Sequence, residues 1–178
     1  MCVEFRINDK QKIIIKYNDI EEKKELSNVS VYLVSKDLYL NIANDILIEV
    51  IQTFYNCLNR VIQGEGIDNK GTSIGYEWNN WAYDLPEEGQ GEEDEYEDFW
   101  IWSTKDTGTW LYRNINQDIL LEISPIYRWL FQDANDDENY ISFKQFRSSY
   151  RVALIKKLHI NLVIEWKQQC ELILSNLR

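Results

Sequence analysis

The chain has 178 residues, 44% of them hydrophobic, with only two Pro and seven Gly, which excludes a disordered or linker-like polymer and supplies a core for one domain spanning residues 1–178. Its net charge of −11 argues against nucleic acid as a partner and for cationic ones. No run approaches the ~18 apolar residues of a membrane helix, and the odd, widely spaced Cys2, Cys57 and Cys170 make no disulfide framework, so the expected address is cytoplasmic and off the membrane.

In chain order, residues 2–7 alternate, with Val3, Phe5 and Ile7 on one side, and residues 11–17 are β-branched. Asn8-Asp9-Lys10 between them is turn chemistry, so a hairpin is expected. Residues 18–28 read as a polar loop and Val29 to Val34 as a third strand. Ser35 or Asp37 can then cap a long helix over 37–62. Along it Tyr39, Ala43, Ile46, Leu47, Val50, Phe54, Cys57, Leu58 and Val61 recur at spacings of three and four, while Asn44, Asp45, Glu49 and Gln52 fall on the other face. Gly64 should stop it.

Residues 76–83 are aromatic without a clear period, and a strand is one reading. The acidic run 84–98 reads as a loop. Phe99 to Trp102, Thr109 to Arg113 and Ile119 to Ile123 form an antiparallel meander. Gly108 suits a left-handed turn position, and Trp100 and Trp102 should share a face because a strand repeats every two residues. Ile126 to Phe131 read as a further short strand. Ser142 with Gln145 is a capping-box pattern that opens helical spacing over 143–177, with the register less clear around Lys157 to Asn161. The fold class expected is α+β: an antiparallel sheet, from the N-terminal hairpin and central meander, packed against helix 37–62 and the C-terminal helices 143–177.

The negative charge is concentrated. Residues 1–64 carry net −1, residues 65–139 net −15 and residues 140–178 net +5. Within the middle segment Glu87, Glu88, Glu92, Glu93, Asp94, Glu95, Glu97 and Asp98 are bracketed by Trp78, Trp81, Tyr96 and Trp100. Carboxylates attract a basic protein, and Trp and Tyr anchor interfaces at low entropic cost. The partner-binding surface expected is therefore Glu87, Glu88, Glu92, Glu93, Asp94, Glu95, Tyr96, Glu97 and Asp98 with Trp78 and Trp81. A plain solvated loop is the competing reading of the same charges.

Other motifs carry less. His159 is the only histidine, which disfavours a His-based catalytic site. Asp106-Thr107-Gly108-Thr109 has the short signature of an aspartic protease, but a hairpin turn accounts for every residue and no second copy occurs. Residues 134–146 have an EF-hand cadence, yet Ala134, Asn139 and Gln145 occupy the positions of the first ligand, the glycine and the bidentate glutamate. No phosphate loop, dinucleotide fingerprint or HExxH occurs, and neither a cofactor nor a metal is expected.

The stretch from Phe99 to Phe131, ending in Ser124-Pro125-Ile126-Tyr127-Arg128-Trp129-Leu130-Phe131, together with the small, acidic, aromatic-rich character of the chain, resembles bacterial toxin-immunity proteins. That resemblance implies a tight complex with a cationic toxin, often a nuclease, in which carboxylates between Glu87 and Asp98 replace substrate phosphates and flanking aromatics anchor. Two other readings stand beside it. One is a DNA mimic or acidic regulator of a nucleic-acid-binding protein. The other is a small hydrolase using two of Glu77, Asp84, Glu97 and Glu122 among tryptophans.

Overall fold

The computed structural model describes residues 2–17, 24–68, 73–84, 95–130 and 140–177. The fold is α+β, with two antiparallel four-stranded meanders. The first sheet is β1 (Cys2–Asn8), β2 (Gln11–Tyr17), β3 (Asn28–Ser35) and β4 (Tyr39–Ile46), in that spatial order. Its register aligns Val3, Ile15, Val31 and Ala43 in one row and Phe5, Ile13, Leu33 and Leu40 in the next. These rows put the apolar half of each strand on one face, as period two requires.

The helix expected over 37–62 is half strand. β4 occupies Tyr39–Ile46, and α1 (Leu47–Gln63) begins where it ends. A bulge explains the mimicry. Val31 pairs with Ala43 and Tyr32 with Asn41, so Ile42 is the extra residue and both Ile42 and Ala43 reach the core. The bulge breaks the alternation and leaves Tyr39, Ala43, Ile46 and Leu47 at helical intervals. From Leu47 onward the pattern is a true helix, burying Val50, Ile51, Phe54, Cys57, Leu58 and Val61. It ends at Gly64, whose φ of 91° is the left-handed conformation glycine adopts without a Cβ penalty. Glu65 N–H then reaches back to Arg60 O at 3.0 Å.

α2 (Ile74–Asp84) takes the place of the strand considered for 76–83, because Ile74, Trp78 and Trp81 need one side to pack on the second sheet. That sheet is β5 (Trp100–Ser103), β6 (Thr107–Arg113), β7 (Ile119–Pro125) and β8 (Leu154–Leu158). β8 lies inside the segment read as helical. α3 (Phe143–Ser149) and α4 (Ile160–Leu177) flank it, so 143–177 is helix, strand, helix. The capping box at Ser142 and Gln145 forms as expected. Leu154 to Leu158 pair with Ile123 to Ile119, satisfying the free edge of β7, and this long-range pairing outweighs the helical propensity of Lys156 and Lys157. Ile126 to Phe131 is no strand where described: Arg128–Leu130 is a 3-10 turn.

Both faces of the second sheet are covered. Trp102, Leu111, Leu121 and Ile123 join one core with α1, with Val163, Trp166 and Cys170 of α4, and with the first sheet. Trp166 bridges the halves, its ring centroid 6.1 Å from Phe5 and 5.7 Å from Phe54. Trp100, Trp110 and Tyr112 pack on the opposite face with Ile74 and Trp78 of α2. Trp100 and Trp102 therefore point to opposite faces rather than one. Trp100 pairs with Trp110 and Trp102 with Thr109, a register shift that makes Ile101 a bulge residue. Gly108 has no left-handed φ and belongs to β6; a Cβ there would lie 2.2 Å from the Trp110 ring, so the requirement is space. Among non-glycine described residues the positive φ falls on Gln117.

Candidate functional site

The junction between β4 and α1 faces the start of β5 across a cleft of about 750 Å³. The carboxylates of Asp45, Glu49 and Glu97 line it, with the rings of Trp78, Trp100 and Trp102, over Ala43, Val50 and Ile101. Among the described residues no Lys, Arg or His takes part in the lining. Each wall follows from local folding. Asp45 sits on the last turn of the strand, where its Oδ1 accepts from the following Ile46 N–H at 2.8 Å. Glu49 occupies the first turn of α1, where a negative side chain complements the helix dipole. Glu97 opens the 3-10 turn Glu97–Phe99 that leads into β5.

The tryptophans are held by one another. Trp78 lies 4.7 Å from Trp100, edge to face, and Trp100 lies 5.0 Å from Trp110. Trp102 Nε1 donates to Val50 O at 3.1 Å, tying β5 to α1 beneath the cleft. Among the described residues no three His, Cys, Asp or Glu side chains converge on a possible metal position. Such a surface suits extended cationic groups, each meeting a carboxylate and a ring face.

The expected docking residues distribute unevenly over this site. Glu97 lines the cleft and Trp78 forms its wall, though at 3% exposure Trp78 is core packing with one edge on the cleft. Trp81 and Tyr96 pack half-buried against the α2 cluster, their rings 6.0 Å apart. Asp98 is engaged by Arg60 at 2.6 Å, and Arg60 also holds Glu65 at 2.9 Å. Glu95 is exposed beside them. Glu87, Glu88, Glu92, Glu93 and Asp94 lie outside the described residues, as do residues 134–139 of the EF-hand-like segment. Asp45 and Glu49 were visible in the sequence only as the polar face of a long helix. The signal that finds them is the pair Asn41 and Asn44, poor helix formers that hydrogen-bond each other within a strand running through Asp45 to Ile46.

A second polar cluster is sealed. Glu122 on β7 is 0% exposed and has no cationic partner among the described residues. Its oxygens accept from Ser73 Oγ at 2.5 Å, Ile74 N–H at 3.0 Å, Gly75 N–H at 2.9 Å, Tyr112 Oη at 3.1 Å and Ser124 Oγ. Two of those donors are the first amides of α2, so the carboxylate caps the helix from another element. Burial, then the neighbouring carboxylate, pushes the Tyr112 hydroxyl far up. Burial likewise raises Tyr150, which meets Ser73 Oγ at 3.0 Å, to about 12. With both oxygens occupied and no surface, Glu122 has nothing to offer a substrate, which removes it from the carboxylate pairs considered above.

Asp106, of the protease-like tetrapeptide, lies in the β5–β6 turn with Arg128 Nη1 at 3.5 Å, and His159 is exposed before α4. No protein-family model, curated protein or solved structure matches the chain.

Proposed function

We propose that this chain is a non-enzymatic binding module of the toxin-immunity type, which neutralises a basic protein by taking its cationic side chains into the acidic aromatic cleft. The observation that carries this reading is the lining of that cleft: Asp45, Glu49 and Glu97 with Trp78, Trp100 and Trp102, and no basic residue among those described. Carboxylates of one sign in a concave, partly apolar setting focus the field and speed the encounter with a cationic partner. Tryptophan adds rigid area and a cation–π face for lysine or arginine. The Arg60–Asp98 pair braces the rim of the 3-10 turn that presents Glu97.

The test compares the native chain with the triple variant Asp45→Asn, Glu49→Gln, Glu97→Gln. Both are immobilised, exposed to lysate of the producing cell at low salt, and the captured partner is then titrated in solution. The expected result is one stoichiometric basic protein, eluted by salt, whose affinity for the triple variant falls by roughly tenfold per charge removed. Equal binding to both chains at low salt, or no basic protein on either, ends this reading.

A further inference from the structure

The surface where α2 meets α3 carries chemistry of the opposite sign. A cleft of about 450 Å³ is lined by Tyr76 and Tyr83 of α2 and by Phe143, Lys144, Arg147 and Ser148 of α3. Among the described residues no carboxylate takes part in the lining. Its volume falls within the range of small-molecule pockets, which pair ring surfaces with a few placed polar groups.

The groups are arranged, not merely present. Arg147 donates from Nε and Nη2 to the Tyr76 hydroxyl at 3.2 and 3.0 Å. Its guanidinium carbon lies 5.7 Å from the Tyr76 ring centroid and 5.9 Å from that of Phe143. This holds the guanidinium in plane while Nη1 makes no hydrogen bond among the described residues, leaving a donor for an oxyanion. Lys144 stands one turn earlier on the same helix, and neither cation has a carboxylate within ion-pair distance among the described residues. In a chain of net −11, cations left without an acid among the described residues are out of keeping with internal charge pairing. Tyr83 stacks on Phe143 at 3.9 Å and 10° and keeps half of its surface, 50%, exposed. It is a braced platform for one further planar ring.

We propose that this cleft binds a small aromatic phosphate of the nucleoside monophosphate class, the ring on Tyr83 and the phosphate between Arg147 and Lys144. This site is separate from the acidic cleft and does not rest on the proposed function. The ring and the anion are both required: the net negative charge of the molecule repels a bare anion, and a bare ring lacks the charge-assisted bonds.

The test is calorimetric titration of the native chain with adenosine monophosphate, adenosine and inorganic phosphate. Binding of the monophosphate at least tenfold tighter than either fragment is expected. Lys144→Glu and Tyr83→Ala should each weaken it at least tenfold with an unchanged melting temperature. Lys144 is exposed and its side chain makes no hydrogen bond or ion pair among the described residues, so its variant isolates the anion contact even if Tyr83→Ala loosens packing. A monophosphate that binds no tighter than inorganic phosphate, or no less tightly to Lys144→Glu, overturns the proposal.

Discussion

Among the described residues five donors and no cation hold the Glu122 carboxylate, so geometry rather than charge pairing offsets its desolvation. Glu122→Gln keeps the shape but turns one acceptor into an NH₂ that must face donors. The expected cost is about 1–3 kcal/mol of stability, read as a lower thermal midpoint with near-native circular dichroism. A midpoint equal to that of the native chain would show that the cluster tolerates a neutral amide. A single Glu in Ile119-Leu120-Leu121-Glu122-Ile123 is visible in sequence as an anomaly. Its partners are not, because three of the five donors come from Ser73, Ile74 and Gly75, nearly fifty positions away. Asn79 repeats the lesson: buried, it donates to Gly75 O at 2.5 Å and Pro125 O at 3.0 Å and accepts from Tyr127 N–H at 2.7 Å. It fixes the path of the chain after β7, yet in sequence it is one of two adjacent asparagines.

Elements whose signal is local were legible. The β1–β2 hairpin, β3, the β5–β6–β7 meander, the C-terminal end of α1 and the capping box of α3 all carry their period and punctuation within a dozen residues. β4, α2 and β8 do not. A bulge gives β4 the spacing of a helix, α2 is aromatic on more than one side, and β8 is a strand only because β7 offers it an edge. The docking of α2 makes a testable case. A Cβ on Gly75 would lie 2.7 Å from Ser124 Cβ, 2.9 Å from the Trp110 ring and 2.9 Å from the Tyr150 hydroxyl. Gly75→Ala should destabilise by about 1–3 kcal/mol through overpacking, despite alanine's better helix propensity. Chemical denaturation measures it, and a stabilised variant would mean that α2 stands further off the sheet.

The whole molecule repeats a plan that no sequence repeat betrays: four antiparallel strands in order, then a helix, with α2 and α3 as additions to the second unit. The two units share one core through Phe54, Trp102 and Trp166. The charge map located only part of the acidic cleft, since Asp45 and Glu49 come from the nearly neutral N-terminal third and Glu97 alone from the acidic run. The thiols test the unity of the core. Cys57 on α1 and Cys170 on α4 are buried, and burial pushes each up to about 12 from 9.0, whereas Cys2 is exposed. At pH 8 a thiol reagent should label Cys2 at once and the other two slowly and at one common rate, by global opening. Early labelling of Cys170 alone would show that α4 opens by itself. The folded thiol pKa values are raised, so their contribution to stability is present below pH 9.0 and is lost as pH rises from there toward about 12.

The shared core also sets an order of events during synthesis. The first sheet and α1 are complete once residue 63 has left the ribosome, but Phe54 gains Trp102 only after about forty further residues and Trp166 only after about a hundred. Throughout that interval an apolar stripe from Val50 to Val61 lacks its final cover, so the nascent chain, more than the finished one, is where this protein is open to aggregation.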